Sequence, residues 1–301
     1  MAMPAHPPET VSAYLAELRR ALKGAPAGLI SDALADCEDH LRNEIAQNPN
    51  LTEQQILASV VETYGTPEEI AEEYLDMETT ISTPFPKQDL PEERSFGFFN
   101  VVSDPRTYGA LLYMLLSLAT GIFYFTWVVT GLSLTLGFAI LIIGIPFALL
   151  FIASVRVLSY VEGRIVEALL GVRMPRRPPT EPAAETGLFA KIREAFTDVR
   201  TWSSMFYMLL MLPLGVSYFV IGVVGLAVSL GVVGGSIFSL LTGESHIQIQ
   251  EAPYLEHLLH TAPGLILLAV VGALSFFVVL HIARAVGWVH GKIAEGLLVR
   301  L

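Results

Sequence analysis

The order of apolar and polar positions divides the chain into two parts. Up to residue 79, apolar residues recur at helical intervals among charged ones. Ile30, Leu34, Cys37, Leu41 and Ile45 fall on one stripe, which predicts an amphipathic helix. Beyond residue 104 the apolar runs are much longer. No Lys or Arg occurs from Thr107 to Val155 or from Thr201 to Ala283. The first gap also lacks acids, and the second holds only Glu244, Glu251 and Glu256. A membrane helix needs about 20 apolar residues. The first gap therefore predicts two spans with a tight turn, and the second predicts two spans with a longer loop.

Within the head, helix signals recur. Thr10 or Ser12 can cap a first helix that Gly24 ends, and Thr52 can cap another that runs to Gly65. Thr66-Pro67-Glu68-Glu69 joins a cap residue, a first-turn proline and two acids, the pattern of a helix start. Prolines at 84, 86 and 91 mark a semi-extended linker. The Phe96–Val102 stretch restarts apolar character as an interfacial segment.

The membrane part is duplicated. Asp104–Gly137 and Asp198–Gly231 share 16 of 34 residues at an offset of 94. Farther on, Tyr160–Leu170 matches Trp288–Leu298 at 6 of 11 positions, with Arg156 aligned to Arg284. The offset there is 128, so the second copy contains an insertion of 34 residues, placed at about 236–266. These exit segments read as amphipathic helices leaving the membrane, with Ile165, Leu169 and Leu170 on one side and charges on the other. The expected fold is all-α and polytopic. A helical head (1–79) and a linker with an interfacial segment (80–103) precede membrane repeat 1 (104–180) and membrane repeat 2 (181–301). Each repeat supplies two of the four transmembrane helices, and the two repeats are expected to be parallel.

Charge then orients this arrangement. All 18 Lys and Arg lie in 1–106, 156–200 and 284–301. By the positive-inside rule, both termini and the central linker are expected in the cytoplasm, with the hairpin tips outside. The net charge of −11 resides in the head, where residues 1–106 carry 19 acids against 7 bases. That argues against direct nucleic-acid binding. The single Cys37 suits a cytoplasmic head.

Two resemblances follow from these residues. The segments Ala13–Leu18 and Tyr64–Tyr74, the latter reading YGTPEEIAEEY, resemble the bacterial HAAS helical domain over about 10–78. That domain is found in membrane proteins associated with transcriptional regulators, so it implies a cytoplasmic regulatory partner. Residues 98–301 resemble the sensor domain of bacterial membrane proteins, known at the N terminus of some actinobacterial histidine kinases. The carriers are the Arg-Thr-aromatic steps that open each copy, Gly121 and Gly215, the Ile143–Pro146 step and the exit from Glu162 to Gly171. The resemblance over 98–301 includes no kinase segment, so kinase activity is not expected to transfer, and neither is any ligand residue.

Candidate residues carry alternative readings. Arg106 and Arg200, at the starts of the two copies, can be snorkelling anchors beside Tyr108 and Trp202. The sharper alternative is a symmetric pair that holds lipid phosphate or couples to the head, with Asp104 and Asp198 as partners. Arg156 and Arg284 join this anchoring set. Arg173, Arg176 and Arg177 form a basic cluster able to meet anionic lipid or dock the acidic head. His281 is an ionisable residue near membrane depth. In the insertion, His257 and His260 share a helix face, with Glu256 and His246 as further metal-ligand candidates. The reading favoured there is an interfacial helix on the outer membrane surface, with metal binding or titrating histidines the lesser ones. Gly144-Ile145-Pro146 is expected to bend the second span.

The expected function is non-enzymatic and uses no cofactor. It is that of a bacterial inner-membrane sensor or regulatory protein passing a membrane or envelope signal to a cytoplasmic partner. The alternative is a homo-oligomeric scaffold that binds membrane lipids. A transporter or metal-dependent enzyme is the weaker alternative, because the spans carry few polar residues.

Overall fold

A computed structural model of the chain describes residues 8, 10–80, 98–140, 144–175, 197–243 and 261–299. The described residues form helices only. The head contains α1 (Val11–Ala21), α2 (Ala27–Gln47), α3 (Glu53–Tyr64) and α4 (Pro67–Thr80). A 3-10 turn at Phe98–Ser103 leads into α5 (Pro105–Phe138), α6 (Gly144–Leu170), α7 (Val199–Thr242) and α8 (Ala262–Leu298). These last four are long and apolar enough to cross a membrane, so the chain is a multi-pass membrane protein.

The head folds as its caps require. The Thr10 hydroxyl accepts from the Ala13 amide. Thr52 and Gln55 form a reciprocal capping box, and Thr66 and Glu69 do the same, each satisfying amides the helix start would leave orphaned. Two small cores result. Tyr14, Leu41, Ile56, Leu57 and Val60 make one. Leu18, Leu22, Ala33, Ile70 and Ala71 make the other, with Cys37 beside them.

The membrane helices pack around closely approaching glycines. A Cβ on Gly121 would lie 2.5 Å from the Met211 carbonyl oxygen, and one on Gly215 would come still nearer to the Ser117 carbonyl oxygen. Only glycine lets these backbones meet. The two contacts are equivalent under the 94-residue offset.

Contacts along α5 also set helix direction. From Met114 through Ser117 and Gly121 to Leu132, the neighbours on α7 run backwards, from Gly222 through Gly215 and Met211 to Met205. Helix α8 lies antiparallel to α7, with Gly225 against Val279 and Gly272 against Val232 and Val233. It runs parallel to α5, from Asp104–Arg284 to Tyr113–His290. The first spans of the two copies are therefore antiparallel. This corrects the expected parallel repeats, in which the linker and the start of each hairpin share one side. Asp104 and Asp198 lie at opposite ends of the bundle. The glycine contacts and the buried groups between the copies hold that arrangement, whereas hydrophobic periodicity carries no direction.

Three other expectations change. Gly144 and Pro146 open α6 instead of bending it; a proline in a first helical turn removes no needed donor. The exit segments do not leave as separate amphipathic helices. They are the ends of α6 and α8, and Glu162 and His290 on them are fully buried. The insertion does not begin outside the membrane helices, since α7 continues through Thr242 and α8 begins at Ala262.

Candidate functional site

The bundle encloses a cluster of polar side chains from all four membrane helices. Its members are Tyr113 and Tyr124 on α5, Glu162 on α6, Tyr207 and Tyr218 on α7, and His290 on α8. Tyr218 is 7% exposed, and every other member is 3% exposed or less. Buried polar groups are stable only when satisfied, and each of these has a partner. Three hydroxyls donate to the carboxylate. Tyr113 and Tyr207 reach Oε1 at 2.7 and 3.0 Å, and Tyr124 reaches Oε2 at 3.0 Å. The same Tyr113 and Tyr207 oxygens lie 2.5 and 2.9 Å from His290 Nε2. Tyr218 lies 3.4 Å from Nδ1. Met211 Sδ closes one side, 3.9 Å from the Tyr113 hydroxyl.

This cluster grows out of the duplication. Tyr113 and Tyr207 are one offset apart, as are Tyr124 and Tyr218. Glu162 and His290 occupy the same position of the exit segment in the two copies. Each copy thus supplies two tyrosines and one ionisable group. The matched tyrosines were visible in the sequence. Their convergence required the tertiary register that brings α6 and α8 together.

Beside the cluster, residues 171–175 fold back over α6. Val172 packs against Gly291, next to His290, and Met174 lies against Gly163, next to Glu162. The backbone of Arg173 and Met174 presses on Gly28 of the head; a Cβ there would lie 2.7 Å from both the Arg173 oxygen and the Met174 carbonyl carbon. The buried Arg173 guanidinium reaches Asp32 Oδ2 at 2.9 Å, Glu78 at 3.1 Å and Glu167 at 3.8 Å. Arg164 donates to the Met174 and Pro175 carbonyls at 3.1 and 2.7 Å and pairs with Glu167 at 2.7 Å. One arginine thus joins α2 and α4 of the head to the membrane bundle.

The other sequence candidates lie elsewhere. Asp104 and Asp198 accept the backbone amides of Arg106 and Arg200 at 3.0 Å, as N-caps. Their ion pairs cross between copies: Arg284 with Asp104 at 3.5 Å and Arg156 with Asp198 at 3.2 Å. His281 Nε2 lies 3.0 Å from the Phe98 carbonyl oxygen, and its ring stacks on Phe98, tying the 3-10 turn to α8. Arg176, Arg177, His246, Glu256, His257 and His260 lie outside the described residues.

Comparison with known proteins adds two findings. A family model described as Putative sensor matches residues 113–298, a range that contains the whole cluster. A model described as HAAS matches residues 13–73, which are the head. No curated protein matches, and no solved structure matches.

Proposed function

Because the chain belongs to the Putative sensor family, we propose that the Glu162–His290 cluster is the input of a membrane sensor and the head is its output. A sensor or regulatory role follows from the two families together. The observation that carries the finer reading is the position of Val172–Met174. This short segment touches the glycines beside both ionisable groups and holds the head through Arg173.

A change at the cluster alters the packing of Gly163 and Gly291 against Met174 and Val172, and so changes how firmly Arg173 holds Asp32 and Glu78. The head then becomes available to a regulatory protein on the cytoplasmic face of a bacterial inner membrane. The role is non-enzymatic. It rests on shifting a two-state contact, because a signal moves an equilibrium only by differential interaction with its two states.

Hydrogen exchange of the full chain in lipid nanodiscs tests this. Glu162→Gln and Tyr113→Phe are expected to speed exchange in the first turns of α2 and the end of α4. Unchanged head protection in both variants overturns the transmission reading.

A further inference from the structure

Donor counting sets the proton content of the cluster. A tyrosine hydroxyl has one hydrogen to give. When Tyr113, Tyr124 and Tyr207 give theirs to Glu162, the two oxygens facing His290 Nε2 offer only lone pairs. Nε2 then carries a hydrogen. A carboxylate sealed in an apolar bundle requires a counter-charge, and among the described residues no Lys or Arg bonds to Glu162. His290 supplies that charge when Nδ1 is also protonated and donates to the Tyr218 oxygen. The pair is then neutral overall. Moving one proton produces a second neutral arrangement, a carboxyl and an uncharged imidazole, with the same six side chains satisfied.

We propose that Glu162 and His290 form one proton-binding site, whose single exchangeable proton passes between carboxylate and imidazole through the hydroxyl of Tyr113 or Tyr207. In the transfer, the His290 Nε2–H bond breaks as a new O–H bond forms at Tyr113. The original Tyr113 O–H bond breaks, and its proton bonds to Glu162 Oε1. Imidazolium and carboxylate become imidazole and carboxylic acid, with no electron exchanged with any other group. The distances of 2.5 Å and 2.7 Å on either side of the Tyr113 oxygen suit such a relay. Tyr207 offers a parallel one at 2.9 and 3.0 Å. The groups facing the pair are Tyr113 and Tyr124 from α5, Tyr207, Tyr218 and Met211 from α7, and each other from α6 and α8. The ligand is the proton itself. Loss of the shared proton leaves a net negative charge in the bundle, which is the state change the sensor reads.

The proton site rests on the cluster as input and does not depend on transmission to the head. Infrared difference spectroscopy reads the glutamate carboxyl, and isotope-edited NMR reads the imidazole, both on the full chain in lipid nanodiscs across a pH series. The expected result is a protonated-carboxyl band and an imidazolium signal that disappear together at one midpoint. In His290→Gln the carboxyl midpoint is expected to move by on the order of tenfold or more in proton concentration. In the Tyr113→Phe/Tyr207→Phe double variant the two signals lose their common midpoint. Two separate wild-type midpoints, or a carboxyl midpoint unmoved in His290→Gln, overturn the shared site. Should the variants fail to give helical protein, the number of wild-type midpoints decides alone. A single midpoint with unchanged head exchange would keep the proton site and remove the transmission reading.

Discussion

The two membrane hairpins are built from the same parts and differ where chemistry is concentrated. Both start with an aspartate cap, meet through a glycine and contribute two tyrosines to the core. Both carry an i,i+3 ion pair near their exit, Arg164–Glu167 at 2.7 Å and Lys292–Glu295 at 3.0 Å. Two deviations matter for the site: Glu162 in one copy stands where His290 stands in the other, and Arg173 stands where the second copy has Leu301. Duplication supplies a two-fold frame. The departures from it provide an acid opposite a base, and a cation that, among the described residues, the first hairpin presents to the head.

Helix direction is the boldest consequence of that frame. The Lys and Arg distribution favours both hairpins starting from one side, whereas packing sets α5 against α7 head to tail. Leu132 and Met205 line one small cavity, while the residue equivalent to Leu132 under the repeat is Leu226. In a Cys37→Ser background, the Leu132→Cys/Met205→Cys pair is expected to crosslink in native membranes. Leu132→Cys/Leu226→Cys is expected to remain uncrosslinked. The reverse outcome restores parallel repeats. Cys37 itself is a weak competitor, because burial, with the nearby Asp36 carboxylate, pushes its thiol up to about 11.

The second prediction uses the cation present in one copy only. Arg173 is buried with Asp32, Glu78 and Glu167 around it. Removing one partner of a buried ionic group leaves uncompensated charge, at a cost of about 3–5 kcal/mol. Arg173→Ala is therefore expected to separate head unfolding from bundle unfolding in calorimetry, with the head transition moving down. Lys292→Ala at the second exit removes an exposed cation from the buried Glu295; its effect is expected to fall on the bundle transition alone and to leave the head transition in place. Equal effects at the two positions would mean that the hairpins are not functionally distinct.

Legibility in the sequence followed the same division. Periodicity and caps gave the head helices, because those signals are local: Thr10, Thr52 and Thr66 cap where their spacing predicted. Length and apolarity gave the four membrane helices. Helix direction and the core cluster depend on which helices meet, which local pattern does not encode. Glu162 and His290 lie in exit segments whose polar side reads as facing away from the apolar stripe, each two residues before Arg164 or Lys292. Only the register of α6 and α8 against four tyrosines turns them inward. Asp104 and Asp198 looked like partners of the arginines two residues on, yet they bond those residues' amides and pair with Arg284 and Arg156 across the copies.

A third test contrasts glycines that the frame needs with glycines it does not. Gly121 and Gly215 sit where a Cβ meets the opposing backbone, while Gly137 and Gly231, also one offset apart, have nothing within 4 Å of a built Cβ. Gly121→Ala and Gly215→Ala are each expected to destabilise the bundle by about 1–3 kcal/mol, the cost of overpacking a close contact. Gly137→Ala and Gly231→Ala are expected to be neutral or to stabilise by up to about 1 kcal/mol through helix propensity. Thermal unfolding in one detergent ranks the four. A loss at Gly137 or Gly231 matching that at Gly121 would show that helix interiors, and not the crossing, carry the sensitivity.

The weakest interaction is the most direct measure of how equal the two copies remain. Asp104–Arg284 and Arg156–Asp198 are the same interaction under the two offsets, at 3.5 and 3.2 Å. Their side chains are between about a fifth and a third exposed, so solvent and salt screen them. Exposed pairs of this kind contribute about 0.2–1 kcal/mol. Double-mutant cycles with Asp104→Asn/Arg284→Gln and Asp198→Asn/Arg156→Gln are expected to return coupling energies within that range and similar to each other, both shrinking as salt is raised. Asp104 and Asp198 also cap their helices, a contribution the cycle cancels because it appears in single and double variants alike. A clearly larger coupling at Arg156–Asp198 would place the asymmetry of the molecule at its ends as well as at Glu162 and His290.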